Sequence, residues 1–291
     1  MSNIRIVTDS TADLIPELVE RYGISVVPLE VLVNGKAYKD KIDITNEEYY
    51  EILRSAEALP TTSQPSPAVF ADVYRALAQE GAEHIISIQL SSELSGTYQS
   101  SVLAAGLVQD VVTVHNFDSR TATMGLGLIV LSAARMADEG RSLEEILAQV
   151  EYMIQNSDLY FLLDSLDNLH KGGRIGKASH VFGSLLNIKP VLNLHDGVIS
   201  AYEKVRGNKG NKALERLIAI LADKIDPNKK LYCTVGYCDN REIADYMVEK
   251  LKADMVEAMK NKDKERLTVI RMVKAAMDQE HIDRKREIND E

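Results

Sequence analysis

Three stretches of the sequence concentrate its hydroxyl groups: TDSTADL (Thr8–Leu14), PTTSQPSP (Pro60–Pro67) and SSELSGTYQS (Ser91–Ser100). Each leads into an apolar-periodic run of helical spacing. The first and third follow β-branched runs, Ile4–Val7 and Ile85–Ile88, that read as buried strands. Hydroxyls at helix N-termini, at the carboxyl ends of parallel strands, lie where open α/β sheets bind ligands. The free backbone N–H groups and the positive end of the helix dipole favour an anion there. The pattern points to a small anionic group held by neutral donors. Ser10, Ser63, Thr97 and, in the later FDSRTAT segment, Ser119 are candidate neighbours of that group. Taken singly, such residues are ordinary N-caps, with Ser66 before Pro67 the clearest case. Three clusters on consecutive strand–helix units are harder to explain by capping alone.

Other chemistries fail on spacing. KGGRIGKAS (Lys171–Ser179) has Lys171 where a phosphate loop needs its first glycine, and Ala178 where it needs a hydroxyl. GLGLIV (Gly125–Val130) lacks the third glycine of a dinucleotide loop. There is no G-x-S-x-G elbow, and the six histidines have no metal-ligand spacing with each other or with the cysteines. Asp9 and Asp118 close strands; they could be catalytic or hold magnesium, but capping of the following turns is the expected role. Arg174 and Arg206 sit in HKGGRIG and EKVRGNKG, and read either as surface arginines or as a basic rim around an anion or phosphorylated product.

The elements that must position these groups follow from composition and periodicity. A chain of 291 residues, 45% apolar and 27% charged, is expected to be globular with two domains. A formal charge of −10 and the lack of Trp argue against nucleic-acid binding. No apolar run is long enough for a membrane span, and no signal peptide is expected, so the expected location is cytoplasmic. Cys233 and Cys238 read as reduced thiols in or near the core.

The order of elements predicts an α/β protein. Residues 1–156 form an N-terminal three-layer α/β/α domain, with a parallel sheet and the anion-binding hydroxyls. The spacing predicts helices over Asp13–Tyr22, Asn46–Ala56, Pro67–Gln79, Thr97–Val108, Met124–Asp138 and Ser142–Asn156, with PTTSQPSP as a loop. Residues 157–250 form a C-terminal α/β domain with a mixed sheet: LYFLL (Leu159–Leu163), a hairpin at Asp196-Gly197, a helix over Lys212–Lys224 and a strand over Leu231–Cys238. Its apolar runs read as ordinary core. Residues 251–291 form an atypical tail: half of the residues from Lys250 on are charged, no Gly follows Gly236, and an amphipathic helix is expected.

TDSTADL, PTTSQPS, SSELSGTYQS, DSLDNLHKGGRIG, LLNIKPVL followed by Asp-Gly, and KVRG occur in the order found in the DegV family, which this chain resembles over roughly Ile4–Cys238. The resemblance implies two domains of the EDD fold with one long-chain fatty acid, such as palmitate, buried between them. It implies no catalysis and no cofactor. The family's carboxylate ligands correspond here to Thr62 and Ser95, with Gly96 beside them. The apolar runs become candidate tunnel walls: Phe161, Leu163, Phe182, Leu185, Leu186 and Ile188. Some family members carry the acyl group for a fatty acid kinase, and the family's partner-contact arginines correspond to Arg174 and Arg206. At ~0.8 kcal/mol per buried CH2, about fourteen methylenes contribute roughly 11 kcal/mol before ordering costs, so the tail sets affinity and the head group sets chemical class.

The family usually ends in a strand with a His-x-Gly-Pro-Gly turn, which this chain lacks. Its tail instead resembles the GatB/YqeY family, MVEAMKNKDKERLTVIRMVKAA being the closest stretch. Two other functions fit the sequence. One is a small-metabolite phosphotransferase component related to a dihydroxyacetone kinase subunit, which shares the fold. The other is an interaction protein whose charged tail docks a partner.

Overall fold

The structure, a computed structural model, describes residues 3–56, 58–181, 188–206, 212–224, 234–238, 241–247 and 249–250. In chain order the elements begin with β1 (Ile4–Asp9), α1 (Pro16–Arg21), β2 (Ser25–Val27), β3 (Glu30–Val33), β4 (Lys36–Lys39), α2 (Asn46–Ser55), β5 (Thr61–Ser63) and α3 (Pro67–Gln79). There follow β6 (His84–Gln89), α4 (Thr97–Gly106), β7 (Thr113–Asp118), α5 (Thr123–Asp138) and α6 (Leu143–Gln155). The remainder comprises β8 (Leu159–Phe161), α7 (Asp167–Lys171), a 3-10 segment (Gly176–Val181), β9 (Ile188–His195), β10 (Val198–Arg206) and α8 (Lys212–Lys224).

The central sheet has the order β2-β1-β6-β7, and all its strands run parallel. Alternation along the strands sends side chains to opposite faces. Ile4, Ile6, Ile86 and Ile88 pack with Leu126, Ile129 and Val130 of α5 and with Ile146 and Val150 of α6. Val7, Val27 and Ile85 pack with Phe70, Tyr74 and Leu77 of α3 and Ala104 of α4. The expected α/β/α layering with a parallel sheet is therefore present. α5 lies so close to the chain before α1 that a Cβ on Gly127 would come within 2.4 Å of the Ala12 carbonyl oxygen.

Two local predictions change. A helix was expected from Asp13, but Ser10–Ala12 form a 3-10 turn and Asp13 has φ 52. The helix starts at Pro16, where the missing N–H costs nothing. The PTTSQPSP segment was expected to be a loop, yet its Thr61–Ser63 form β5, antiparallel to β3 with Val31 opposite Thr62. With β4 it completes a second sheet of order β4-β3-β5. The β3–β4 hairpin turns at Asn34 and Gly35, both in the left-handed region a tight two-residue turn requires.

The chain divides into two units: Met1–Tyr160, Ser165–Phe182 and Leu192–Ala201 in one, Phe161–Asp164, Gly183–Val191 and Tyr202–Glu291 in the other. A three-stranded sheet has the order β10-β9-β8, and the hairpin expected at Asp196-Gly197 is present, with φ 52 and 79. In the second unit, Leu214, Leu217 and Ile218 form the buried stripe of α8, while Arg216 makes a forked pair with Glu203 at 2.8 and 2.9 Å. Thr234–Cys238 was expected to be strand and is irregular, and Cys238 is exposed rather than near-core. Cys233 and the tail 251–291 lie outside the described residues. Among the described residues no helix is long and apolar enough to cross a membrane.

Candidate functional site

Strand order reverses between β1 and β6: from β1 the chain moves outward to β2 on one side, and β6 and β7 lie on the other. Crevices of this kind open at the carboxyl ends of the strands. Three hydroxyl-bearing segments leave those ends. Asp9, at the end of β1, accepts from Leu90 N at 2.8 Å, Thr11 N at 2.9 Å and Thr11 Oγ1 at 2.6 Å. Burial pushes its carboxyl pKa above the ordinary value, and these hydrogen bonds oppose the rise. Asp118, at the end of β7, accepts from Ser92 N, Ser92 Oγ and Arg120 N. Both aspartates cap turns, the role expected of them.

The loop from Ser91 to Gly96 is fixed from several directions. Ser91 N donates to the Thr121 carbonyl at 2.8 Å, and the buried Ser91 hydroxyl donates to the Gly197 carbonyl at 2.8 Å. Gly197 cannot be replaced without conflict, because a Cβ there would lie 2.4 Å from Ser91 Oγ. Arg174 is exposed, and its guanidinium donates to the carbonyls of Leu94 at 3.3 Å and Gly172 at 2.6 Å. Helix α4 then opens on Gly96, a cap residue that supplies no side chain to the first-turn amides. Beside it, the half-buried Ser95 hydroxyl lies 2.9 Å from the hydroxyl of the fully buried Thr97 and accepts weakly from Thr97 N at 3.4 Å. A helix N-terminus flanked by neutral hydroxyls can hold a carboxylate or similar anion.

The PTTSQPSP segment reaches the same place. Gln64 Nε2 donates to the buried Ser100 Oγ of α4 at 3.1 Å, and a Cβ on Gly96 would lie 2.1 Å from Gln64 Oε1. The PTTSQPSP and SSELSGTYQS segments thus meet at the first turn of α4. Thr62 is exposed on β5, and the half-buried Ser63 donates to the Gln64 carbonyl at 3.4 Å. Ser10 and Ser119 are engaged elsewhere: Ser10 Oγ accepts from Leu29 N at 3.1 Å, and Ser119 Oγ donates to the Thr121 carbonyl at 3.2 Å. Arg206 is exposed at the end of β10. Phe161 and Leu163 are half-buried. Ile188 opens β9, its side chain outside the description, as are Phe182, Leu185 and Leu186. Among the described residues no three His, Cys, Asp or Glu side chains are grouped to hold a metal.

Sequence reasoning missed Gln64, Ser91 and Lys41. Lys41 Nζ donates to the Ser10 carbonyl at 2.8 Å and pairs with Asp13. Only the close approach of glycines at 96 and 197 marks the first two, and that approach is invisible in a linear pattern.

A family model described as an uncharacterised protein of the DegV family matches residues 3–271. The chain belongs to the DegV family. The match covers the motifs from TDSTADL to KVRG and extends into the tail beginning at residue 251. A DegV domain-containing protein of Caldanaerobacter subterraneus is 44% identical over 218 residues, 75% of this chain and 76% of its own. A second, from Halalkalibacterium halodurans, is 36% identical over 253 residues, 87% of this chain and 88% of its own. Among solved structures, a DegV family protein of Thermus thermophilus described for its fatty acid binding aligns with a TM-score of 0.74 and 38% identity, covering 87% of this chain and 88% of its own. DegV of Bacillus subtilis, described as a fatty acid binding protein, aligns with a TM-score of 0.77 and 35% identity over 87% and 89% of the two chains. The DegV fold is thereby that of this chain.

Proposed function

We propose that this DegV protein binds one long-chain fatty acid, with the carboxylate at the first turn of α4 and the acyl chain along the apolar residues of the second half. Thr62 and Ser95 donate to the carboxylate beside Gly96, and Ser63 and Thr97 form its surroundings, whereas Ser10 and Ser119 are held by Leu29 N and the Thr121 carbonyl. Phe161, Leu163, Phe182, Leu185, Leu186 and Ile188 line the acyl chain. The observation that carries the reading is the meeting of Gln64 with Gly96 and Ser100, which joins the two hydroxyl segments at a glycine-capped helix start. Fatty-acid binding described for relatives 35% and 38% identical to this chain supports the ligand class. Hydroxyls and amides bind a carboxylate without a catalytic base, so the role is binding and presentation rather than turnover.

The bound acid is presented to a fatty acid kinase partner for conversion to acyl phosphate, with Arg174 and Arg206 at the contact. The hydrogen bond of Arg174 to Leu94, next to Ser95, supports its part in this.

Mass spectrometry of an organic extract of the purified protein tests the binding step. One fatty acid per chain is expected, and delipidated protein should rebind added palmitate at micromolar concentration. An extract without acyl chains, together with no rebinding, overturns the reading.

A further inference from the structure

We propose that Gln64 is the positioning residue of the head-group site: it clamps the segment carrying Thr62 onto the start of α4, and so makes the site select an ionised carboxylate over an uncharged head group. The inference rests on the fatty-acid reading above and adds a residue to it.

The two proposed donors belong to different sheets. Thr62 lies on β5 of the antiparallel sheet β4-β3-β5, whereas Ser95 follows β6 of the parallel sheet. Each sheet is held by its own ladder, so neither ladder fixes the distance between the donors. Beside β3 and β4, the antiparallel sheet is tied down by the hydrogen bond from Leu29 N, just before β3, to Ser10 Oγ at 3.1 Å and by Lys41 Nζ, just after β4, on the Ser10 carbonyl at 2.8 Å. At its β5 end the tie is Gln64, whose Nε2 reaches Ser100 Oγ in the first turn of α4.

The fit is close on both sides of the amide. A Cβ at position 96 would lie 2.1 Å from Gln64 Oε1, 2.7 Å from its Cδ and 2.8 Å from its Nε2, so the carboxamide lies against the bare Cα face of Gly96. Gln64 is exposed as a residue while Ser100 is buried. The clamp therefore adds little to the core and acts mainly on the geometry of the loop. Two donors converge on one carboxylate only when both are held, and ordered donors discriminate by charge because a hydrogen bond to an ionised group is the stronger one. An ester of the same chain length keeps the apolar contacts and loses the charge.

Calorimetric titration of palmitate and methyl palmitate into delipidated full-length protein tests the proposal, with Gln64→Ala, Gly96→Ala and the double variant beside wild type. Gln64→Ala is expected to weaken palmitate about tenfold and methyl palmitate less than twofold, with an unchanged melting temperature. Gly96→Ala alone is expected to weaken palmitate at least as much. In the Gln64→Ala background the same substitution should add no further loss, because the atoms it would strike are gone. If Gly96→Ala does not fold alone, the Gln64→Ala comparison decides. Unchanged palmitate affinity in Gln64→Ala, or equal losses for acid and ester, overturns the proposal. Wild type binding neither ligand overturns the fatty-acid reading and this proposal with it, a result distinct from wild-type binding that ignores Gln64.

Discussion

Leu90 donates its backbone N–H to the Asp9 carboxylate at 2.8 Å, across the point where the order of the parallel strands reverses. The same carboxylate holds both polar hydrogens of Thr11, on its backbone N and its Oγ1, so one buried side chain fixes the exits of β1 and β6 together.

Asp9 makes stability depend on pH. Burial is the main cause of its raised pKa, so the folded state binds the proton more tightly than the unfolded chain. The resulting stabilisation is full below the unfolded value of 3.8 and is lost as pH rises through the higher folded value. Denaturant midpoints of wild type and Asp9→Asn measured from pH 4 to 7 should show wild type losing ground to the variant as pH rises. A difference that stays flat over that range would falsify this account.

Thr62→Ala and Ser95→Ala test the proposed carboxylate ligands directly. Each should weaken fatty-acid binding by about 1–3 kcal/mol, the usual size for a hydrogen bond to a charged group. Methyl esters of the same length should lose less. Equal losses for acid and ester would leave the hydroxyls as helix caps only.

Tyr74 is fully buried and its hydroxyl lies 2.7 Å from Ser87 Oγ, which also accepts from Gln89 Nε2. Burial pushes its pKa up to about 12. A folded-state pKa raised in this way costs stability as pH climbs from 10 toward 12. Tyr74→Phe should cost about 1 kcal/mol at neutral pH and lessen the alkaline loss. Urea unfolding at pH 7 and pH 11 checks both parts; an unaltered alkaline slope counts against the assignment.

Glycine-to-alanine changes should have opposite signs at two helix positions. A Cβ at Gly127 meets the Ala12 carbonyl oxygen at 2.4 Å, so Gly127→Ala should destabilise by roughly 1–3 kcal/mol. Nothing lies within 4 Å of a Cβ at Gly106, so Gly106→Ala should stabilise by about 0.5–1 kcal/mol. Thermal melts of the two variants distinguish them, and a shared sign would contradict the packing described.

Elements with local causes were legible from sequence. Pro67 at the first helical position and the apolar period fixed α3 at Pro67–Gln79, and periodicity alone fixed α8 at Lys212–Lys224. β5 was not legible, because a three-residue strand in a Pro- and Ser-rich segment exists only through its pairing with β3. Asp13 likewise reads as a first-turn helix residue until its left-handed backbone is known. For the candidate site, the hydroxyl segments stood out by composition, and the structure brings two of them together. Gln64 did not stand out, because a lone loop glutamine has no period and its meaning depends on a glycine distant in sequence.

The hydrogen bond from Ser91 to Gly197 spans 106 residues, and it sets an order on the chain as it is made. A ribosome adding about 5–20 residues per second needs roughly 5–20 s to travel that distance. Over that interval the first strands and helices can already pack, while the Ser91 hydroxyl still waits for its acceptor. The loop leading into α4 is therefore finished late in synthesis, and a chain halted before the β9–β10 turn carries the hydroxyls of the candidate site without one of the contacts that hold their loop.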